Sequence, residues 1–212
     1  MEKKNLFFDL DGTIIDSREG IFNSIKYVAK AYDLEIPSNE ALDSFIGPPL
    51  HGSFMSLYNV DFETADMYVQ KYRENYSTKG LFEFALYDGI KESILELSKR
   101  YTLFVTTSKP THFAKKILDK SGILQCFTEV SGSDVNNPDS SKEKVVSYII
   151  NKYKLDKDAC ALIGDTKFDG EGAKQCRIEF FGVNYGFGTK EEMLEYNPVK
   201  LFDTAGELKE YF

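Results

Sequence analysis

Residues 5–13 read NLFFDLDGT, and this segment is the strongest indication of the fold class. Asn5–Leu10 is an almost continuous apolar run of strand length, which is typical of a parallel strand buried on both faces. Asp9, Asp11 and Gly12 stand where this strand ends. Ligands of open parallel sheets bind at the carboxyl ends of the strands. We therefore expect a buried strand that delivers two carboxylates to a binding site.

Four further apolar runs follow and alternate with helical patterns. The runs are Tyr101–Thr106, Phe127–Val130, Ala159–Ile163 and Glu179–Val183. Between them, apolar residues recur at helical spacing, namely Ile90, Ile94 and Leu97, then Phe113, Ala114, Ile117 and Leu118, then Val145, Val146 and Ile149. Strands that alternate with helices predict βαβ units. The predicted fold class is α/β, with a doubly wound, Rossmann-like parallel sheet.

The segment after the first strand breaks this alternation. Residues 17–84 contain helical patterns and no convincing strand, and Asp16–Glu19 resembles a capping box with Asp16 as the cap. Tyr87-Asp88-Gly89 is the expected hinge at which the chain returns. We predict a catalytic core of residues 1–16 plus 85–212 and an inserted helical lid of residues 17–84.

Composition limits the classes of partner. The 212-residue chain has 42% hydrophobic and 28% charged residues and a formal net charge of −8 at pH 7. This charge disfavours nucleic acid and anionic membranes as partners, because both are polyanions. No apolar run reaches the ~20 residues of a membrane helix, and Asp9 and Asp11 interrupt the N-terminal run too early for a signal peptide. Three scattered cysteines indicate free thiols in a reducing cytoplasm.

The pair Asp9 and Asp11 indicates a metal site. Alternation along an extended chain places both carboxylates on one side, where their repulsion calls for a cation or a shared proton. Mg²⁺ prefers one or two carboxylates together with substrate phosphate. Gly12 permits close approach of the backbone to an anion, and Thr13 can donate a hydrogen bond. The alternative is a solvated Asp-Gly turn, but Asp9 stands within apolar residues.

A second acidic pair follows the fourth apolar run. Residues 163–169 read IGDTKFD, which supplies Asp165 and, one helical turn later, Asp169. These residues are candidates for the further carboxylates of a Mg²⁺ site. Alone they would equally fit a helix N-terminus with acids that complement the helix dipole.

Two weaker signals concern phosphate. Thr107 and Ser108 follow the second run at a strand-to-helix turn, where hydroxyl and backbone N–H groups suit phosphate oxygens. Lys142 stands at the start of a helix, against the dipole preference, so it is a candidate cation for a transferring phosphoryl group. Lys144 and Lys109 are rival choices, and a solvated lysine is the alternative for each.

Taken in order, these motifs resemble the haloacid dehalogenase-like phosphohydrolases. The resemblance rests on D-x-D-G-T at 9–13, a hydroxyl at a second strand end, a lysine, and G-D-x-x-x-D at 164–169. Helices inserted after the first motif resemble the subfamily with an α-helical cap. Phe45–Leu50, Tyr87–Gly89 and Gly182–Gly188 are similar to the phosphoglycolate phosphatase group.

The resemblance implies a role for each motif residue. Asp9 would be the nucleophile that forms an aspartyl-phosphate, and Asp11 the general acid and then the base. Asp9, the Asp11 carbonyl and Asp165 would hold Mg²⁺, with Asp169 orienting the site. The phosphate-binding hydroxyl would be that of Thr107, with Thr106 as the neighbouring alternative, and Lys142 would be the charge-neutralising lysine.

Several functions remain open at this point. A dehalogenase or a phosphonate-cleaving relative lacks the second aspartate, whereas a phosphomutase of the β-phosphoglucomutase type and a nucleotide-directed phosphatase keep it. A receiver-type signalling domain lacks the helical insert, and a regulatory protein with an inactive site needs none of these residues. The expected partner is a small phosphorylated metabolite, such as a phosphoglycolate-like monoester. Candidate specificity residues are Arg18, Gly47 and His51.

Overall fold

The structure is a computed structural model, and it describes residues 3–48, 50–133 and 141–212. It divides into two compact units, Met1–Asp16 with Leu86–Phe212 and Ser17–Ala85. The boundaries differ by one residue from the expected insert of 17–84. No helix among the described residues is long and apolar enough to cross a membrane.

The larger unit is built on a six-stranded sheet in the order β5-β4-β1-β6-β7-β8. Its strands are β1 (Asn5–Phe8), β4 (Thr102–Pro110), β5 (Phe127–Ser133), β6 (Cys160–Gly164), β7 (Glu179–Val183) and β8 (Lys200–Phe202). Every pairing is parallel. The α/β fold with a parallel sheet is therefore confirmed.

Helices lie between and after these strands. They are α5 (Ile90–Leu97), α6 (Thr111–Lys120), α7 (Lys142–Tyr153), α8 (Lys167–Cys176), α9 (Lys190–Leu194) and α10 (Gly206–Tyr211), with 3₁₀ turns at Leu124–Cys126 and Lys157–Ala159. Two short strands, β2 (Ile15–Asp16) and β3 (Ala85–Leu86), form a separate two-stranded sheet.

The core of this unit explains why β1 and β6 are apolar throughout. Every residue of both strands is buried, as expected for central parallel strands covered on two faces. On one face, Phe7 stacks on Phe104 at 5.1 Å, and Val146 and Ile149 of α7 belong to the same buried cluster. All three cysteines are free thiols.

The smaller unit is helical. Its elements are α1 (Arg18–Ala31), α2 (Asn39–Asp43), α3 (Leu50–Tyr58), α4 (Phe62–Thr78) and a 3₁₀ turn at Gly80–Phe82. Aromatic rings fill its interior, with Phe54 packed edge-on against Tyr68 at 5.7 Å. The expected cap of α1 is wrong. Asp16 belongs to β2, and the N-cap is Ser17, whose side chain makes no capping hydrogen bond.

Candidate active site

Three neighbouring strands bring the motif residues to one edge of the sheet. Phe8, the last residue of β1, pairs with Val105 of β4 and Ile163 of β6. The Asp9 N–H then donates to the Ile163 carbonyl at 2.9 Å, which holds Asp9 at the end of the strand. Motifs that lie far apart in the sequence thus become neighbours in space, because paired parallel strands end at the same edge of the sheet.

A cluster of three buried carboxylates lies at this edge. One oxygen each of Asp9, Asp165 and Asp169 lies within 4.8 Å of the others. Asp165 and Asp169 are fully buried, and Asp9 is 8% exposed. So many carboxylates in a buried site repel each other strongly unless cations or protons compensate them.

Lys142 supplies part of that compensation. Its Nζ lies 2.8 Å from Asp9 Oδ1 and 2.8 Å from Asp169 Oδ1, and it donates to the Thr106 carbonyl at 2.9 Å. The ammonium group is thereby fixed between the first and last carboxylates of the motif set. Lys144, two residues along the same helix, is exposed.

Asp169 has a structural partner for each oxygen. Its Oδ2 accepts from the Thr166 N–H at 3.1 Å and from the Thr166 hydroxyl at 2.8 Å, at the start of α8. Its Oδ1 faces Lys142. This arrangement fits a residue that orients the site, because both oxygens are held by the protein itself.

Asp165 is held by two donors from other loops. Its Oδ1 accepts from the Thr13 hydroxyl at 3.1 Å, and its Oδ2 accepts from the Phe187 N–H at 2.8 Å. Gly12 has φ +85°, and a Cβ there would lie 2.1 Å from Asp165 Oδ2. Gly186 also lies against Asp165, since a Cβ added at Gly186 would lie 2.3 Å from the Cβ of Asp165. Both positions require glycine so that the backbone can approach this carboxylate.

Burial changes the protonation of the cluster. Desolvation raises the pKa of Asp9 to about 7, although Lys142 opposes it. Desolvation, and then the charges of Asp169 and Asp9, raise the pKa of Asp165 well above its usual range. Burial disfavours the charged form of Lys142, but Asp169 and Asp9 outweigh that effect and raise its pKa. The lysine therefore stays charged, while the raised pKa values of Asp9 and Asp165 favour binding of a further cation at their carboxylates.

Asp11 lies apart from the three-carboxylate cluster. Its Oδ1 faces the Nζ of Lys109 at 3.0 Å, and the side chain of Lys109 is only 7% exposed. The chain no longer continues as a strand after Phe8, because Ile14 N–H and Ile15 N–H both fold back onto the Leu10 carbonyl. This turn is why strand alternation does not carry the Asp11 carboxylate into the cluster.

The hydroxyls at the end of β4 differ in their surroundings. The Thr107 hydroxyl is buried and accepts from the Lys109 N–H at 3.1 Å, whereas Ser108 is exposed. The Thr106 hydroxyl is buried and has no hydrogen-bond partner among the residues that the structure describes. Thr107 and Lys109 both lie within β4, which continues to Pro110, rather than in the predicted strand-to-helix turn. Lys109 also faces Asp11.

The specificity candidates all belong to the helical unit. Arg18 is the exposed first residue of α1, and Gly47 is exposed with φ +99°. His51 lies in α3, where its Nε2 is 3.0 Å from Asp66 Oδ1 and its ring stacks on Phe62 at 4.9 Å. Of the motif Phe45–Leu50, Pro49 lies outside the described residues.

The loop after β7 contributes two contacts to the site that were not predicted from the sequence. Tyr185 donates its hydroxyl hydrogen to the Thr13 carbonyl at 3.1 Å, and Phe187 donates its N–H to Asp165. Burial, and then the charge of Asp165, raise the pKa of Tyr185, so its hydroxyl remains a donor. The glycines of this loop were a visible signal, but nothing in the sequence showed which aspartate they approach.

The charge balance and the donor atoms fit a divalent cation. Four carboxyl groups, Asp9, Asp11, Asp165 and Asp169, face two ammonium groups, Lys109 and Lys142. When all four are ionised, an excess of two negative charges remains. An all-oxygen donor set is the one that Mg²⁺ prefers. The residues present thus match a hard divalent cation in both charge and ligand type.

Comparisons with known proteins agree with this arrangement. A model of the haloacid dehalogenase-like hydrolase family matches residues 6–183. A 5′-nucleotidase of Pseudomonas aeruginosa is 36% identical over 195 residues, which cover 92% of this chain and 88% of that protein. A phosphoglycolate phosphatase of Colwellia psychrerythraea is 27% identical over 98% of this chain and 96% of its own. The solved structure of a haloacid dehalogenase-like family hydrolase from Streptococcus pneumoniae superposes with a TM-score of 0.92, at 33% identity and with 99% and 98% of the two chains covered.

Proposed function

The chain belongs to the haloacid dehalogenase-like hydrolase family and is a phosphatase, and from this premise we propose that it hydrolyses a small phosphate monoester with Mg²⁺ and an aspartyl-phosphate intermediate. The observation that carries the proposal is the buried cluster of Asp9, Asp165 and Asp169, with Lys142 between two of its members. A purely structural role would not require so much buried and mutually repelling charge.

In this proposal Asp9, Asp165 and the Asp11 carbonyl would hold the metal ion, and Asp169 positions Lys142. A bound Mg²⁺ supplies charge stabilisation for phosphate oxygens. The excess of negative charge around the cluster favours that ion, and its binding keeps Asp9 ionised despite the raised pKa. Lys142 adds a second, permanent positive charge beside the nucleophile.

The first half-reaction forms the intermediate. A carboxylate oxygen of Asp9 attacks phosphorus while the bond from phosphorus to the leaving oxygen breaks. Asp11 acts as the general acid and transfers a proton to that oxygen, so the alcohol leaves neutral. Asp9 then carries the phosphoryl group, and Lys142 neutralises part of the charge on it.

The second half-reaction restores the enzyme. The Asp11 carboxylate takes a proton from water, and the resulting hydroxide oxygen attacks phosphorus. The bond between phosphorus and the Asp9 oxygen breaks and releases inorganic phosphate. Lys109 lies 3.0 Å from Asp11 and is placed to hold that carboxylate in position.

The proposed substrate is a small phosphate monoester of the 2-phosphoglycolate kind. A second candidate is a nucleoside 5′-monophosphate, because the relative named 5′-nucleotidase is 36% identical, against 27% for the phosphoglycolate phosphatase. In both cases the helical insert acts as a cap that excludes water and reads the part of the substrate beyond the phosphate. A phosphomutase differs only in the acceptor of the phosphoryl group.

The test is phosphate release from p-nitrophenyl phosphate, 2-phosphoglycolate and a set of nucleoside 5′-monophosphates, each with Mg²⁺ and with EDTA. We expect phosphate release in the presence of Mg²⁺ and none in EDTA. We also expect the mass of the protein, after acid quenching during turnover, to include one added phosphoryl group. The matched control is Asp9→Asn, which should show neither. Full activity in EDTA, or phosphoryl transfer by Asp9→Asn, would refute the mechanism, and transfer to a second sugar phosphate instead of water would identify a mutase.

A further inference from the structure

The loop after β7 reaches both oxygens of Asp165. Phe187 N–H donates directly to Oδ2 at 2.8 Å. The other oxygen, Oδ1, accepts from the Thr13 hydroxyl at 3.1 Å, and the carbonyl of that same threonine accepts from the Tyr185 hydroxyl at 3.1 Å. Tyr185 is therefore joined to Asp165 through a single intervening residue.

The ring of Tyr185 is fixed as well. It packs on the ring of Tyr87 with centroids 4.7 Å apart and an angle of 53°. The Tyr87 N–H donates to the Ile14 carbonyl at 3.3 Å, next to the carbonyl that Tyr185 binds. Residues 13–14 are thus held by two hydrogen bonds, one from Tyr185 and one from Tyr87. The packing of the two rings sets the direction in which the Tyr185 hydroxyl points.

We propose that Tyr185 is a positioning residue for Asp165, and that its hydroxyl sets the affinity of the site for a divalent cation by holding Thr13 in place. The inference rests on the proposed function, because it treats Asp165 as a metal ligand. Groups that hydrogen-bond a metal-ligating carboxylate fix its orientation, and their loss typically costs about 10–100-fold in metal affinity.

The link between Tyr185 and Asp165 passes through one buried threonine. Thr13 is fully buried, and its carbonyl and its hydroxyl take part in the two bonds of the relay. Without the Tyr185 hydroxyl, the carbonyl loses that donor in a site that water does not reach, and such a group is costly. The peptide can recover a partner only by rotating, and that rotation moves the Thr13 hydroxyl away from Asp165 Oδ1.

The test compares Mg²⁺ binding by calorimetry in the wild type, Tyr185→Phe and Tyr58→Phe. Tyr185→Phe removes one hydroxyl and keeps the ring. Tyr58→Phe is the matched control, because the Tyr58 hydroxyl also donates to a backbone carbonyl, that of Glu35, at 3.1 Å, within the helical unit. We expect Mg²⁺ affinity to fall about tenfold in Tyr185→Phe and to stay unchanged in Tyr58→Phe.

Two further measurements separate positioning from a general loss of stability. In urea without metal, both variants should unfold somewhat earlier than the wild type, since each loses one hydrogen bond. The stabilisation that a fixed Mg²⁺ concentration well above both Kd values adds should fall only in Tyr185→Phe, by the ~1.4 kcal/mol that corresponds to a tenfold weaker Kd. Turnover of Tyr185→Phe should recover when Mg²⁺ is raised.

A double-mutant cycle tests the relay itself. Thr13→Val removes the hydroxyl that reaches Asp165 at little change in volume. If Tyr185 acts through Thr13, the double variant binds Mg²⁺ no more weakly than Thr13→Val alone. If the double variant instead lost Mg²⁺ affinity by the product of the two single losses, the relay through Thr13 would be wrong. Unchanged Mg²⁺ affinity in Tyr185→Phe would overturn the inference as a whole. Absence of Mg²⁺ binding in the wild type would instead refute the proposed function.

Discussion

Replacing Asp9 with asparagine should abolish turnover and, at the same time, stabilise the metal-free protein. The asparagine side chain keeps the shape of the aspartate and resembles the protonated acid, but it cannot attack phosphorus as a carboxylate does. Lys142 remains satisfied, because it keeps Asp169 at 2.8 Å and the Thr106 carbonyl at 2.9 Å. The substitution therefore removes a buried negative charge without leaving the buried ammonium group unpaired.

The size of the effect follows from the pKa of Asp9. Burial raises it from 3.8 to about 7. Each pKa unit corresponds to ~1.4 kcal/mol, so the ionised carboxylate costs the folded protein at most about 4 kcal/mol. An amide is an imperfect copy of the acid, because its NH₂ group is repelled by Lys142. We therefore expect a gain of about 1–4 kcal/mol in the free energy of unfolding.

The sign of the pH dependence is fixed by the same shift. Between pH 3.8 and about 7 the folded wild type holds more protons on Asp9 than the unfolded chain does, so its stability falls as pH rises through this window. Above pH 7 Asp9 is ionised in both states, and its destabilisation of the folded protein reaches its full value. The advantage of Asp9→Asn should be near zero close to pH 4, grow with pH, and level off above 7.

The assay is urea unfolding in EDTA across this pH range, followed by circular dichroism. Asp119→Asn, at an exposed position in α6, is the matched control and should show no change between pH 6 and 9. Mg²⁺ should reverse the order of stability, since only the wild type keeps the full ligand set. A gain that does not vary with pH, or an Asp9→Asn protein that is less stable than the wild type at pH 9 in EDTA, would refute the reasoning.

Three other perturbations have outcomes set by single contacts. Lys142→Met should lower the free energy of unfolding in EDTA by about 3–5 kcal/mol at pH 8, because it leaves a buried carboxylate pair without its cation, and the loss should shrink at acid pH in urea melts. Gly12→Ala should cost at least about 1–2 kcal/mol in the same melts and abolish phosphate release, since its φ is +85° and the new Cβ would lie 2.1 Å from Asp165 Oδ2. Burial raises the pKa of the Cys160 thiol from 9.0 to about 11, so its thiolate fraction at pH 8 falls about a hundredfold. When the protein is treated with iodoacetamide, peptide mass analysis should therefore find the label on half-buried Cys126 before it appears on Cys160.

Much of the fold could be predicted because buried parallel strands leave a clear signal. The runs that start at Phe127 and Glu179 begin strands at those residues. The edge strand Lys200–Phe202 was not predicted, since three residues with one charge show no strand pattern. β4 extends to Pro110, beyond the expected end at Thr106, because a register shift lets Pro110 pair with Ser133.

The position of a site residue could be predicted where it directly follows a strand. It could not be predicted where a turn, or the side of a helix that faces the sheet, determines the position of the side chain. Asp9 and Asp165 follow neighbouring strands, so parallel pairing brings them together. The choice between Lys142 and Lys144 stayed open because it depends on which side of α7 faces the sheet. Residues two apart on a helix point in very different directions, and the structure buries Lys142 and exposes Lys144.

The same geometry accounts for a division of labour among acids that look equivalent in the sequence. Asp169 has both oxygens engaged by Thr166 and Lys142, so it can fix the lysine but has little freedom to react. Asp165 is held by two donors, which suits the role of a fixed ligand in the proposed metal site. Asp9 faces a single ammonium group and retains some exposure, and its pKa lies near neutrality. Of the three, only Asp9 combines an adjacent cation, some exposure and a pKa near neutrality, which is why we assign it the role of nucleophile in the proposed mechanism.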